Sequence, residues 1–250
     1  MKREALTKRK LHNLLAKLKR NPEDYITLYL KSSSFPHYID ELLVRFKHSI
    51  YAAEIKEAVN TEAVTKEAAK YETGAAIFWR ENGDKYIVLP PFPIRENKVS
   101  IGELDTQLLY ETLEQKYTIG VILVTWGSYS IGIFHHGNLV ESKTGTGYIR
   151  KEYKKGGRSE KRVARRTEEQ KKDFLRKVSN RIEERFRNYS PDSIFFGGNR
   201  LIRKPLLEQC QYLEFKVHKT SPRTLNVRYA DRQALSHSLE EITESLLFTL

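Results

Sequence analysis

The chain has 250 residues, 39% of them hydrophobic, with 14 Tyr, 11 Phe and 2 Trp, enough to bury a real core in one large domain or two small ones. Its 44 Lys/Arg against 32 Asp/Glu leave a net charge of +12, and the single cysteine, Cys210, excludes an intramolecular disulfide framework and a Cys-rich zinc site. Met1–Arg20 holds no continuous apolar run, and the longest apolar stretch, around Ile119–Trp126, has only strand length. A secretion signal and a membrane span are therefore not expected, and a cytoplasmic location is.

In chain order, Leu6, Leu11, Leu14, Leu15 and Leu18 recur at three- and four-residue spacing on a lysine-rich background, which predicts a helix over 6–20 that faces a core. Tyr25–Leu30 reads as a strand. Helical periodicity returns from Tyr38 to about Ala58 and from Glu62 to Tyr71. Ala75–Trp79 and Lys85–Leu89 flank Asn82-Gly83, a strong hairpin signal. Pro90, Pro91 and Pro93 end that hairpin, and a domain boundary is expected between Pro91 and Leu108, with a short helix over 104–115.

Thr118–Trp126, Tyr129–Phe134 and Leu139–Thr144 predict an antiparallel meander. A long helix follows, its stripe made by Phe174, Leu175, Val178, Ile182 and Phe186. Thr167-Glu168-Glu169-Gln170 matches a capping box, so the helix starts either there or near Ser159. Ser193–Phe196 reads as a strand, Leu201–Cys210 as a helix with Cys210 partly buried, Tyr212–Val217 as a strand and Asp231–Leu247 as the last helix. The fold class is α/β in two domains. Residues 1–100 form a helical docking domain with a β-hairpin, and residues 101–250 form a mixed sheet flanked by helices.

Charge is concentrated in one place. Between Arg150 and Arg187 there are 16 Lys/Arg against 7 Asp/Glu, a surplus of nine, and Gly156-Gly157 lies within this stretch. Such a concentration is the footprint of a nucleic-acid partner. The candidate RNA-binding residues are Arg150, Lys151, Lys154, Lys155, Arg158, Lys161, Arg162, Arg165, Arg166, Lys171 and Lys172. The glycines give the loop tip conformational freedom and room for close backbone approach.

Metal nuclease chemistry is not expected, because the strands VILVTW and SIGIF carry no carboxylate, while Glu141 and Asp192 have no convincing partner. His135 and His136, adjacent on a strand, would point to opposite faces and make no common site. Gly145-x-Gly147 lacks the lysine–hydroxyl ending of a P-loop. No metal or cofactor is implied. What fits is hydrolysis of an ester held by the partner: a glycine tip enters a narrow RNA-walled cavity, presents backbone N–H groups and places a polar residue beside water.

The loop Thr144-Gly145-Thr146-Gly147-Tyr148 through Lys154-Lys155-Gly156-Gly157-Arg158-Ser159-Glu160, with its continuation Lys161-Arg162-Val163-Ala164-Arg165-Arg166, resembles the middle domain of eukaryotic-type class 1 peptide-chain release factors. It is more similar still to the Vms-like release-factor (VLRF) domain of ribosome-associated quality control. The resemblance covers residues 118–218 and implies an RNase H-like fold for that domain. It also implies a ribosome-bound peptidyl-tRNA hydrolase, a monomer whose partners are the large subunit, rRNA and peptidyl-tRNA. Its implied catalytic positions are Gly156, Gly157, Ser159 and Glu160. In that family a glutamine of Gly-Gly-Gln or Gly-x-x-Gln places the water. Here Glu160 occupies that place in a register starting at Gly157, and Arg158 in the Gly-Gly-Gln register. A glutamine amide both donates and accepts, whereas glutamate only accepts and arginine only donates. No Asn-Ile-Lys-Ser motif occurs and nothing after Leu250 reads as a third domain, so rescue of stalled large subunits is expected rather than stop-codon-dependent termination. The second reading is a non-catalytic ribosome- or tRNA-binding factor of the same fold.

Overall fold

A computed structural model of the chain describes residues 1–37, 39, 50–80, 82–150 and 158–250, with residues 50 and 158–160 described in backbone only. Two units emerge: Met1–Gln115 joined by Ile242–Leu250, and Lys116–Glu241. The division therefore falls after Gln115 and not near residue 100, and the C-terminal residues return to the first unit. The reason is the last five-residue strand, which completes the first sheet.

That sheet contains β1 (Lys2–Leu6), β2 (Glu23–Leu30), β3 (Ala75–Arg80), β4 (Lys85–Leu89), β5 (Lys98–Glu103) and β11 (Ser245–Thr249), ordered β1-β11-β4-β3-β2-β5. Every neighbouring pair is antiparallel. Side chains alternate between its two faces. One face sets Ile26, Leu28, Ile77, Ile87 and Phe248 against α2 (Ile50–Val59) and α3 (Glu62–Tyr71). The other sets Tyr25, Tyr29, Phe78, Val88 and Leu247 against α1 (Lys8–Leu18) and α4 (Gln107–Glu114). The expected hairpin turns at Asn82-Gly83, and Asp84 braces it by accepting from Tyr25 Oη at 3.1 Å and Tyr86 Oη at 3.0 Å. Burial first, and then the Asp84 carboxylate, pushes both phenols up to about 12. The helix expected over 38–58 lies partly outside the described residues; Ile50–Val59 is helical.

The second unit is a five-stranded mixed sheet of β6 (Thr118–Thr125), β7 (Ser128–His135), β8 (Asn138–Thr146), β9 (Ser193–Gly198) and β10 (Thr220–Leu225), ordered β10-β9-β6-β7-β8. The β6–β7–β8 meander is antiparallel, and β9 and β10 run parallel to β6, the mixed arrangement expected. Ile122, Val124, Tyr129, Ile131, Ile194 and Phe196 pack beneath α5 (Arg158–Tyr189), α6 (Arg200–Gln209) and α7 (Gln211–Phe215). Helix α8 (Arg232–Ile242) places Leu235 over Gly132 on β7.

Strands β1 and β5 were not expected, and two expected elements differ in kind. Tyr212–Val217 is not a strand, since Tyr212–Phe215 is α-helical and Val217 opens a 3-10 turn: Tyr212 and Leu213 are buried in the α5–α6 cluster, and the neighbouring strand is the less apolar Thr220–Leu225. The final helix stops at Ile242, and Ser245–Thr249 pairs with both β1 and β4. Cys210 is completely buried at the α6–α7 junction, deeper than its partly buried assignment. Among the described residues no helix is long and apolar enough to cross a membrane.

Candidate functional site

Helix α5 has a base and a free end. Its base is core: Phe174, Leu175, Val178, Ile182 and Phe186 are buried, and the Phe174 ring lies 6.3 Å from Trp126 and 6.1 Å from Tyr129, centroid to centroid. Moving toward the N-terminus, Thr167 is the last buried residue, and none of Lys161–Arg166 is buried. The helix starts at Arg158 and not at the capping box. Thr167 sits at 1% exposure, and its hydroxyl has no hydrogen-bond partner among the described residues, so it caps nothing there. Lys161–Arg166 thus stands about 9 Å beyond the core at 1.5 Å per residue.

The ascending limb of the loop is fastened to this helix and to the β6–β7 turn, step by step. Thr146 O accepts from Lys177 Nζ at 2.8 Å, Gly147 N donates to Gly127 O at 2.9 Å, and Arg150 N donates to Gln170 Oε1 at 3.0 Å. The glycines of Gly145-x-Gly147 are packing residues. A Cβ on Gly145 would fall 2.5 Å from the Tyr129 ring, and one on Gly147 2.6 Å from Phe174 Cδ2. Glycine lets the strand end lie flat on these two aromatics. Gln170, assigned by sequence to a cap, is instead a loop anchor. Ile149 packs against the core between these ties, while Tyr148 stays 77% exposed.

Charges divide along α5. Its core-backed part is self-paired: Lys171–Glu168 at 2.7 Å, Arg176–Asp173 at 2.8 Å, Arg181–Glu184 at 2.9 Å and Arg187–Glu183 at 3.3 Å. Arg185 reaches across to Glu141 on β8 at 3.2 Å. Residues 150–166, by contrast, contain nine Lys/Arg and two Asp/Glu. Lys161, Arg162, Arg166 and Lys172 are exposed and have no ion-pair partner among the described residues. Two candidates are less available. Arg165 pairs with Glu169 at 3.1 Å, and Lys171 also lies 5.5 Å over the Trp126 ring. Arg150 is exposed at the top of the fastened limb. Arg158, Ser159 and Glu160 form the first turn of α5 in backbone, so both residues at the glutamine position of the two registers are helical. Lys151, Lys154, Lys155, Gly156 and Gly157 lie outside the described residues.

The carboxylates and histidines elsewhere have structural work. Glu141 is taken by Arg185, and Asp192 Oδ2 accepts from Thr118 N at 2.8 Å, joining β6 to the start of β9. The His135 and His136 rings do not point to opposite faces. They stack at 3.9 Å and 22°, because His136 has left the strand for a turn at φ 51°. Partial desolvation, then the His135 ring and Lys116, hold His136 below its ordinary value. Among the described residues no group of three or more His, Cys, Asp or Glu could hold a metal ion.

Residues 117–247 match the family model described as Actinobacteria/chloroflexi VLRF1 release factor. Among curated proteins, the chain is similar to peptide chain release factor subunit 1 of Aeropyrum pernix, 24% identical over 172 residues covering 65% of this chain and 46% of that protein. It is also similar to the protein of the same description from Methanocaldococcus jannaschii, 27% identical over 169 residues covering 64% and 39%. The chain spans less than half the length of these two relatives. Solved structures similar to it include an archaeal translation termination factor, with a TM-score of 0.39, 19% identity, and coverage of 95% of this chain and 70% of that one. Pelota of Archaeoglobus fulgidus gives a TM-score of 0.32 at 8% identity, covering 96% and 63%.

Proposed function

The chain belongs to the Actinobacteria/Chloroflexi VLRF1 release-factor family, and on that premise we propose that it binds the large ribosomal subunit of stalled complexes and hydrolyses the peptidyl-tRNA held there. The observation that carries this reading is the free basic end of α5, standing beyond the core directly after Gly156-Gly157, on a base locked by Phe174 and by the Gln170 and Lys177 ties. In the reaction, water adds to the ester carbonyl, the acyl–oxygen bond to the tRNA breaks, and the terminal ribose hydroxyl leaves with a proton. Backbone N–H groups at the glycine tip would stabilise the oxyanion. The Glu160 carboxylate would accept a hydrogen bond from the attacking water, and Ser159 lies beside it in sequence. Arg150, Lys151, Lys154, Lys155, Arg158, Lys161, Arg162 and Arg166 would neutralise phosphates along the approach. In this reading it acts in the cytoplasm as a monomer.

One observation favours a second reading, a ribosome- or tRNA-binding factor that occupies the site without chemistry: neither register supplies the family's glutamine, since Glu160 or Arg158 stands there. A single assay separates the two. Peptide release from stalled 50S–peptidyl-tRNA complexes is measured for wild type, E160Q, E160A and G157A. Hydrolysis predicts release by wild type, equal or faster release by E160Q, and loss of roughly 100-fold or more in E160A and G157A. Binding without release in all four replaces the catalytic reading by occupancy alone.

A further inference from the structure

Among the described residues Tyr148 is the most exposed aromatic, at 77%. Its exposure is unusual in kind, because the backbone that carries it is held on both sides. Gly147 lies against Phe174 and donates to Gly127 O at 2.9 Å. Ile149 packs into the core, and Arg150 N is bound by Gln170 Oε1 at 3.0 Å. Consecutive side chains of this extended limb leave on opposite sides, so seating Ile149 inward turns Tyr148 outward. A ring fixed in this way loses little freedom on binding, since only two side-chain torsions remain to be ordered. The ring contributes nothing to the core, and Phe174 and Trp126 already close the end of the sheet below it.

Charge indicates what the ring meets. Two residues on is Arg150, and the helix to which the limb is tied offers Arg166, one turn before Gln170, exposed and without an ion-pair partner among the described residues. An aromatic face within a field of cations is the arrangement that holds an unpaired base while its backbone phosphates are neutralised alongside. A protein partner of ordinary composition would gain nothing from that surplus of positive charge.

We propose that Tyr148 is a stacking platform at the foot of the loop, taking one unpaired nucleobase of ribosomal RNA or tRNA and so fixing the direction in which the glycine tip enters. The inference rests on the ribosomal reading above. It adds an aromatic, salt-insensitive contact to a surface otherwise recognised by charge.

The test is co-sedimentation of the full chain with stalled 50S–peptidyl-tRNA complexes across a salt series, for wild type, Y148A, Y148F and Y148L. Because the side chain is exposed, all four should melt together, which removes misfolding as a cause. Loss of one stacked base weakens binding roughly 5- to 150-fold, so Y148A is expected in that range. Y148F keeps the ring and should match wild type, while Y148L keeps apolar bulk without a π-face and should resemble Y148A. The salt slope should be the same in all four, since the cations that neutralise phosphates are untouched. Wild type failing to bind the complexes overturns the ribosomal reading and this inference with it. Wild type binding while Y148A binds equally well overturns the inference alone, and so does Y148L binding like wild type, which marks an apolar protein contact.

Discussion

Phe174 joins the core to the loop, and its removal is the most informative perturbation of the fold. The ring is 3% exposed, within 6.3 Å of Trp126 and 6.1 Å of Tyr129, and it lies where a Cβ on Gly147 would stand 2.6 Å away. Phe→Ala in such a setting costs about 3–5 kcal/mol, a large share of the 5–15 kcal/mol typical of a whole domain. The Lys116–Glu241 unit has an unfolding entropy of about 0.26 kcal/mol per degree at 2.1 cal/mol/K per residue. F174A should therefore lower the melting transition of this unit by about 11–19 °C, measured by circular dichroism or calorimetry. Gly147→Ala supplies the control. In the wild-type background its methyl meets the ring and should destabilise by about 1–3 kcal/mol, whereas in F174A the methyl enters the vacated space. The double mutant should then be more stable than the sum of the two single effects by at least about 1 kcal/mol. A shift under about 3 °C in F174A, or strict additivity with G147A, would refute the packing of loop base on helix.

Two further outcomes follow from charges. Alanine at Lys161, Arg162, Arg166 and Lys172 should weaken ribosome binding and flatten its log–log salt dependence by about 0.7–0.9 for each phosphate no longer neutralised, while alanine at the self-paired Arg176, Arg181 and Arg187 should leave the slope almost unchanged. In the first unit, the Tyr25 and Tyr86 phenols titrate at about 12 when folded and near 10 when unfolded, so the folded state holds their protons more tightly. Their contribution is complete below pH 10 and is lost as pH rises from 10 to 12. Urea titrations should show a smaller alkaline loss in Y86F than in wild type over that window, and identical alkaline profiles would refute the Asp84 brace.

The parts of the fold legible in the sequence were those whose local pattern and tertiary role agree. The four-residue stripe from Phe174 to Phe186 specifies α5 because that face alone is buried, and Asn82-Gly83 specifies its hairpin because few other turns take that pair. Ser245–Thr249 is not legible as a strand because its three apolar residues, Leu246–Phe248, follow a helical segment and have no period of their own. Only the distant partners β1 and β4 make it a strand. Tyr212–Leu213 failed in the opposite direction: an aromatic–aliphatic run looks like a strand, but the hollow between α5 and α6 accepts it as a helix. At the site, the charge surplus and the glycine pair were visible as composition. The ties made by Gln170, Lys177 and the Gly145 and Gly147 backbones were not, because each depends on two segments 16 to 31 residues apart meeting. A glycine every second residue at the end of a strand that leads into a basic loop was the available sign of close packing.

The division of charge along α5 separates what the helix needs for folding from what it keeps for a partner. A helix N-terminus is the positive end of the macrodipole, so cations in the first turn cost about 0.3–1 kcal/mol each, and folding alone favours acidic residues there. Here Arg158, Lys161 and Arg162 occupy that end, where the sequence places one carboxylate, Glu160, among them. Twenty residues later the same helix pairs its charges at three- and four-residue spacing, as a solvated helix face does. The chain neutralises one end in this way, yet at the other Lys161 and Arg162 have no ion-pair partner among the described residues, an arrangement that costs stability. The Phe174 core and the loop ties make the cost tolerable by nucleating the helix from its base. Phosphates arriving at the free end would satisfy the dipole and the side-chain cations together, so ordering of the first turns and binding reinforce each other. The conflict between local preference and sequence thus falls at the place where the family's chemistry is expected.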